Sequence, residues 1–285
     1  MIGFITSERF RELYEDDRLV VAELARRGHE VRPLVWTAPH RLDDFDVLVM
    51  RSPWDWFHRR DEFRAFLEAL RHTGARVVNP AEVMLEFADK QYLPKLAARG
   101  VDVVPTVALL PAELARVPAL LDERGWSRAV LKPSFTANAI GARRFERHEA
   151  EQAAADLAAS LPAHETLLLQ PFVPSIAEGE LSFVFFGGVF SHAVRKRPPR
   201  GEWRVQHDYG GVSEPFAPSP QQVKEATTLL ALAAPGTTYG RVDAVEYEGR
   251  LHLMELEVVE PELFFRHHPE APRRFADVLL AAPRR

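Results

Sequence analysis

Tyr239-Gly-Arg241-Val-Asp243-Ala-Val-Glu246 is followed, across the turn Glu248-Gly249-Arg250, by Leu251-His-Leu-Met-Glu255-Leu-Glu257-Val-Val-Glu260-Pro261. Both runs are short, rich in Val and Leu, and alternate with period two, which predicts a pair of antiparallel strands. On such a strand Glu255 and Glu257 share a face, and Asp243 on the neighbouring strand can sit beside them. Carboxylates gathered on one face raise each other's pKa unless a cation neutralises them. The chain has no cysteine, and hard oxygen donors favour Mg²⁺ or Mn²⁺ over zinc. The competing reading is a hairpin with a solvated acidic face.

Basic and polar segments upstream bear on that choice. Val130-Leu-Lys132-Pro133 places a lysine at the end of a buried-looking strand, ahead of the small, polar loop Ser134-Phe-Thr-Ala-Asn138-Ala-Ile-Gly141. A lysine with backbone N–H groups beside it can hold polyphosphate, although neither the Walker pattern nor the dinucleotide fingerprint is present. Leu167-Leu-Leu-Gln170-Pro171-Phe172-Val173-Pro174 reads as an apolar strand ending in an amide side chain and a proline-bounded extended segment. Such a segment can present donors and acceptors to a planar heterocycle. Glu178-Gly-Glu180-Leu-Ser182 then leads into a hairpin ending at Arg195-Lys196, followed by a long loop from Arg197 to Gly211. Loops of that length inside compact domains are usually functional or mobile.

This order of elements, from about Lys90 to Pro261, resembles the ATP-grasp superfamily of carboxylate–amine ligases. The points of similarity are Lys132-Pro133, Gln170-Pro-Phe-Val173, Arg195-Lys196 with Gly201-Glu-Trp-Arg204-Val-Gln206, Gly210-Gly211, Arg241-Val-Asp243 and Glu255-Leu-Glu257. The wording Gln-Pro-Phe-Val-Pro-Ser-Ile, Gly-Glu-Leu-Ser and Met-Glu-Leu-Glu is similar to the glutathione-synthetase-like branch, and within it to the cycloserine-forming ligases. Two positions depart from the pattern: Glu257 stands where the superfamily often has Asn, and Asn138 where a glycine is expected.

The resemblance implies an α/β (α+β) ATP-grasp fold: a small parallel βα domain (1–88), a central subdomain (89–170) and a C-terminal subdomain with the metal site (171–285), the last two sandwiching ATP. It implies Lys90 and Lys132 on phosphate, or Lys90 on adenine, and Gln170, Phe172 and Val173 on adenine. Glu178 or Glu180 would meet ribose, with Glu178 favoured. Lys196, Arg204 and Arg241 would surround the transferred phosphoryl group, and Asp243, Glu255 and Glu257 would hold Mg²⁺ or Mn²⁺. The implied reaction is phosphorylation of a carboxyl or carbonyl-type oxygen followed by attack of an amine, forming an amide or a ring on a small amino-acid-like substrate. A small-molecule kinase on the same fold and a non-catalytic nucleotide- or metal-binding protein are the alternatives.

Composition agrees with a globular enzyme. The chain has 285 residues, 46% hydrophobic and 27% charged, ordinary shares for a folded domain. A net charge of −5 disfavours a nucleic-acid partner. No segment approaches the roughly 20 apolar residues that span a bilayer, and Met1-Ile-Gly-Phe-Ile lacks the basic start of a signal peptide. A cytoplasmic protein is expected, with homo-oligomerisation left open. Alternating strands and helices over the first 85 or so residues predict a small parallel sheet, including a helix from Arg11 to Arg27 with Leu13, Leu19, Val20 and Leu24 inward. Further helices are expected at 63–72, 89–100 (containing Lys90), 111–124, 146–160, 218–234 and 272–282. Trp54 and Trp56 sit at a strand end, where open α/β sheets bind ligands, though packing is their commoner role. His192 reads as a packed histidine, His207 as a substrate candidate, and His267-His268 as surface residues.

Overall fold

Short apolar runs form the parallel sheet at the N-terminus, with the central strands buried on both faces and the outer ones partly exposed. The computed structural model describes residues 1–160, 162 and 164–281. Strands β1 (Ile2–Thr6), β2 (Val31–Val35), β3 (Val47–Ser52) and β4 (Arg76–Val78) pair in the order β2-β1-β3-β4, all parallel. Helices α1 (Glu15–Arg26) and α2 (Arg60–Arg71) make the crossovers around β2 and β4, as parallel pairing requires. Helix α1 begins at Glu15 rather than Arg11, because Leu13 has a left-handed backbone (φ 65) that no α-helix accommodates. Its acidic first turn, Glu15-Asp16-Asp17, suits the positive end of the helix dipole. Leu19, expected inward, is exposed, while Leu13, Val20 and Leu24 are buried.

Helices α3 (Ala81–Phe87) and α4 (Tyr92–Ala98) lead to the second sheet. Lys90 precedes α4 instead of lying inside it. Pro94 has no N–H to donate and is tolerated only in a first turn, which fixes the helix start at Tyr92. The second sheet joins β5 (Val107–Leu109), β6 (Arg128–Pro133), β7 (Arg143–Glu146) and β8 (Leu167–Pro171) in the order β5-β8-β6-β7, antiparallel throughout. Helices α5 (Val117–Arg124) and α6 (Ala150–Ser160) cover it through Leu120, Leu121, Ala153 and Leu157. A 3₁₀ turn at Pro111–Arg116 replaces the first part of the helix expected from 111.

The third sheet is antiparallel in the order β11-β10-β9-β12-β13: β9 (Glu180–Phe186), β10 (Val189–Arg197), β11 (Val212–Phe216), β12 (Tyr239–Tyr247) and β13 (Arg250–Glu257). One face, with Phe183, Phe185, Val242, Ala244 and Leu253, packs on α7 (Pro220–Ala233). Helix α7 opens with a capping box between Ser219 and Gln222. The other face meets α8 (Ala271–Ala281) at its Tyr239 end, through Phe186, Phe275 and Leu279. The N-terminal sheet docks there too. Asn79 donates to the carbonyls of Tyr239 and Val258, each at 2.8 Å, and the Tyr239 hydroxyl donates to the Met50 carbonyl at 2.7 Å. The strand ends of the first sheet are thereby fixed beside the outer pair of the third. No helix among the described residues is long and apolar enough to cross a membrane.

Candidate active site

Along β12, alternate residues Tyr239, Arg241, Asp243 and Val245 face one side. The face runs from an aromatic packed on α8, through an ion pair, to an aliphatic patch. The register sets Asp243 opposite both Ser182 and Glu255, and Arg241 opposite Glu257. A bulge after Asp243 leaves Met254 as the extra residue of β13. The expected gathering of Asp243, Glu255 and Glu257 on one face is therefore present, and Glu180 and Lys196 join it from β9 and β10.

The chain supplies cations to this face itself. Arg241 donates from Nε and Nη2 to the two Asp243 oxygens, both at 2.8 Å, and also pairs with Glu257. Lys196 reaches Asp243 at 2.9 Å and pairs with Glu180. The Ser182 hydroxyl adds a 2.6 Å bond to Asp243. Lys90 lies 3.1 Å from Glu255 and donates to the Thr136 carbonyl. Burial alone would raise the Asp243 carboxyl, but Arg241 and Lys196 hold it well below the usual range. Burial pushes Glu257 well up, helped by Glu255 and Asp243, despite Arg241. Glu180 is raised by burial and by Asp243, with Lys196 opposing, and Glu260 is pushed up by burial to about 7.

Lys132 is the exception among the lysines. Among the described residues its ammonium has no ion pair or hydrogen bond, and burial, with Lys90 nearby, lowers its pKa. Its loop is tied to Lys90, whose backbone N–H donates to the Ser134 carbonyl at 3.0 Å.

At the aliphatic end Val245 packs with Val104, Val173, Ile176 and Val205, flanked by Phe172 and Met254. Gln170 donates its amide N–H to the Thr106 hydroxyl at 2.8 Å, and no described group takes its amide oxygen. The Phe172 N–H is already spent on the Arg128 carbonyl at 2.9 Å. A heterocycle would therefore be left the Phe172 carbonyl and the Val173 N–H. Glu178 is exposed, whereas Glu180 is buried within the ionic cluster. Arg204 is not brought to the carboxylates. It pairs with Glu202 at 2.7 Å and lies 3.6 Å over the Tyr209 ring, inside its own loop. That loop closes tightly, since a β-carbon at Gly211 would clash with the Val205 carbonyl.

As they stand, no three His, Cys, Asp or Glu side chains among the described residues converge on one point as metal ligands do. The donor set nonetheless suits a hard divalent ion. Glu180, Asp243, Glu255, Glu257 and Glu260 face Lys90, Lys132, Lys196 and Arg241, so carboxylates outnumber cations even before a polyphosphate enters. The Glu255 and Glu257 side chains stay partly exposed.

Sequence reading passed over Thr106, Ser182, Val205, Met254 and Glu260. Glu260 carried a signal, being one more acid just past the strand of Glu255 and Glu257; Thr106 and Val205 carried none, because only tertiary packing brings them in. Of the histidines, His192 is buried as expected, His207 is exposed, and His267 and His268 are half-buried, with His268 stacked on His192 at 5.3 Å.

Comparison with known proteins agrees with this geometry. Residues 2–79 match the family model described as D-cycloserine synthetase DcsG, N-terminal domain. The cycloserine biosynthesis protein DcsG of Streptomyces lavendulae is 34% identical over 249 residues, covering 82% of this chain and 82% of that relative. The crystal structure of D-cycloserine synthetase DcsG superposes with a TM-score of 0.86 at 29% identity over 98% of each chain. An ATP-grasp RimK-domain protein from Sphaerobacter thermophilus shares the fold, with a TM-score of 0.72 at 17% identity over 98% of this chain and 99% of that one. The chain belongs to the D-cycloserine synthetase family of ATP-grasp enzymes and is an ATP-dependent carboxylate–amine ligase.

Proposed function

We propose that ATP lies across the third sheet with its adenine on the Val173–Val245 patch and its phosphates toward Lys132 and Lys90. The observation that carries this reading is Lys132: a half-buried ammonium without an ion pair or hydrogen bond among the described residues is poorly compensated, and a polyphosphate would supply the missing charge. Gln170, through its amide oxygen, and the Phe172 carbonyl would accept from the exocyclic amine, while the Val173 N–H would donate to the ring. Because Glu178 is exposed and Glu180 is tied to Lys196, Glu178 is the freer partner for ribose.

Glu255 and Glu257 would hold Mg²⁺ or Mn²⁺, joined by Asp243 once Lys196 turns to phosphate. The ion would neutralise charge on the phosphoryl oxygens. Arg241 and Lys196 would stabilise negative charge as the phosphoryl group passes to the substrate's carboxyl or carbonyl-type oxygen. Positioning and charge stabilisation supply the rate, and no side-chain nucleophile is needed. Attack by an amine then forms a C–N bond and expels phosphate. Arg204 would enter only when its loop swings from Glu202 toward the phosphates, excluding water from the acyl phosphate.

On this reading the three sheets are three working units, divided near residues 88 and 170, and the protein acts in the cytoplasm on an amino-acid derivative. The relative's name, a cycloserine synthetase, favours ring closure within one molecule. A screen of amino-acid derivatives for paired release of ADP and phosphate tests it. A phosphorylated product in place of an amide or ring would overturn the ligase assignment of this site.

A further inference from the structure

The loop of residues 134–141, between β6 and β7, begins two residues after Lys132 and holds a shape its own residues do not favour. Asn138 and Ala139 are both left-handed, each at φ 54, a conformation that is costly for residues with a β-carbon. Such a stretch persists only where its surroundings hold it. Part of the support comes from nearby. The Ser134 N–H donates to the Thr166 carbonyl at 2.8 Å, the Ser134 carbonyl accepts from the Lys90 N–H at 3.0 Å, and the Thr136 hydroxyl donates to the Ile140 carbonyl at 3.2 Å. At the exposed tip the Asn138 amide donates to Asp208 at 3.0 Å.

A further support crosses over from the N-terminal sheet. Phe135, half-buried, is met nearly at right angles by the Trp56 ring, with centroids 4.7 Å apart, and is covered by the Arg60 guanidinium 4.2 Å from its centroid. Both residues belong to the connection from β3 to α2, where Trp56 is buried against Phe63 at 5.2 Å and Arg60 is the first residue of α2. Arg60 is fixed in turn, since its Nη2 donates to both Glu165 oxygens, at 2.8 and 3.0 Å. Glu165 adjoins Thr166, whose carbonyl holds Ser134. The contacts therefore close a circuit, from Arg60 through Phe135, Ser134 and Thr166 to Glu165 and back. A planar guanidinium can lie on an aromatic face and bond a carboxylate at once, whereas an ammonium offers a point charge. Solvent-exposed ion pairs contribute little, but this one is pinned by the Phe135 ring and its carboxylate side chain is 13% exposed.

We infer that Arg60 is a positioning residue for the ATP step: acting through Phe135 and Glu165, it sets the loop of residues 134–141 in the shape that receives the nucleotide's phosphates. This rests on the placement of ATP proposed above. It adds that the N-terminal sheet shapes the phosphate site through a side chain outside the nucleotide's proposed contacts. The strained tip then needs no glycine, because its base is held from two sides before any nucleotide arrives.

The test is calorimetric titration of the full chain with β,γ-imido-ATP and Mg²⁺, paired with amide exchange, for Arg60→Ala, Phe135→Leu and the double variant. Arg60→Ala should weaken binding of the analogue about tenfold, as expected on losing a charge-assisted bond and its stacked ring, and Phe135→Leu by about as much. Because both break the same circuit, the double variant should bind no more than about twofold more weakly than either single one. Exchange across residues 134–141 should quicken at least about tenfold in each variant, while residues 168–173 keep the wild-type rate. Wild-type affinity in either single variant overturns the inference, even with a lowered melting temperature, because the contact would then be structural only. Fully additive losses, or exchange that quickens equally across residues 168–173, overturn it too. Failure of the wild-type chain to bind the analogue, or binding that leaves residues 134–141 unprotected, sinks the ATP placement as well. Protection of that loop in the wild type, with unchanged affinity in the variants, sinks this inference alone.

Discussion

Two buried Arg–Asp pairs, whose arginines donate to the consecutive carbonyls of Pro261 and Glu262, behave differently. Arg51 and Asp17, with side chains 2% and 1% exposed, share one 2.9 Å bond, and Arg51 also donates to the Pro261 carbonyl. The guanidinium lies 5.6–5.9 Å from the rings of Tyr239, Phe265 and Phe275, and among the described residues Asp17 Oδ2 and Arg51 Nη1 find no hydrogen-bond partner. Arg241 and Asp243 share two bonds, and Lys196, Ser182 and Glu257 surround them. Burial raises the Asp17 carboxyl despite Arg51, whereas Asp243 is held low. The first pair is sealed beneath aromatics and ties the N-terminal sheet to the end of β13. The second has partners to exchange, which a site that must admit phosphate requires.

The largest effect expected from this contrast is on stability at the sealed pair. Asp17→Ala leaves Arg51 buried and uncompensated, so unfolding in urea should show a loss of about 3–5 kcal/mol. A loss under about 1 kcal/mol would mean that the pair is solvated and the contrast false.

At the open site the cost should fall on activity. Lys132→Ala removes a cation that no carboxylate of the chain needs. kcat/KM for ATP should drop about 10²–10³-fold, equivalent to roughly 2.7–4 kcal/mol, as for the loss of one preorganised donor. Its melting temperature should not fall, because burial already disfavours the charged lysine. A destabilised variant with normal turnover would reverse the roles given to the two regions.

A pH experiment probes the sealed region again. Burial lowers the His192 pKa to about 4, with His268 and Arg274 adding to it and the Leu263 carbonyl opposing. The neutral ring is bonded to Leu263 and Ser191, each at 3.0 Å. An unfolded histidine titrates near 6.5, so between about 6.5 and 4 the unfolded chain binds the extra proton. The stabilisation is complete above pH 6.5 and is lost as pH falls toward 4, up to about 3 kcal/mol. Urea midpoints for wild type and His192→Gln should converge over that window as the medium is acidified. Parallel curves would show that His192 is already charged in the native state.

The comparison also shows what a sequence can and cannot disclose. The two strands and their turn were legible because period-two alternation and the Glu248-Gly249 turn are local, but the turn's register alone would set Met254 opposite Asp243; the bulge after Asp243, which no local pattern marks, brings Glu255 and Glu257 opposite Asp243 and Arg241. The start of α4 was legible in principle from Pro94, and the start of α1 from the acid run Glu15–Asp17, yet helical periodicity masked both. Lys196 turning to Glu180 and Asp243, Lys90 reaching Glu255, and Arg204 staying with Glu202 depend on distant parts of the chain or on loop closure. No spacing rule encodes them. Asp17 and Arg51, 34 residues apart, gave no signal at all.

The smallest effect should come from the Ser182 hydroxyl. It donates to Asp243 at 2.6 Å from the centre of the sheet, opposite Asp243 in the register. If Asp243 depended on one partner, as Asp17 does, losing a bond to a charged group would cost about 1.5–3 kcal/mol. Asp243 instead keeps two bonds from Arg241 and one from Lys196 after Ser182→Ala. The lost donor is then partly compensated, and the stability change should be about 1 kcal/mol, nearer the typical net value of a hydrogen bond. Activity should respond differently from stability. With one donor gone, Asp243 holds Lys196 and Arg241 more firmly, and both are proposed to act on the phosphoryl group. kcat should therefore fall while KM for ATP stays near wild type, the signature of an interaction that matters chiefly in the transition state. A rise in KM with unchanged kcat would place Asp243 and its partners in nucleotide binding rather than in phosphoryl transfer.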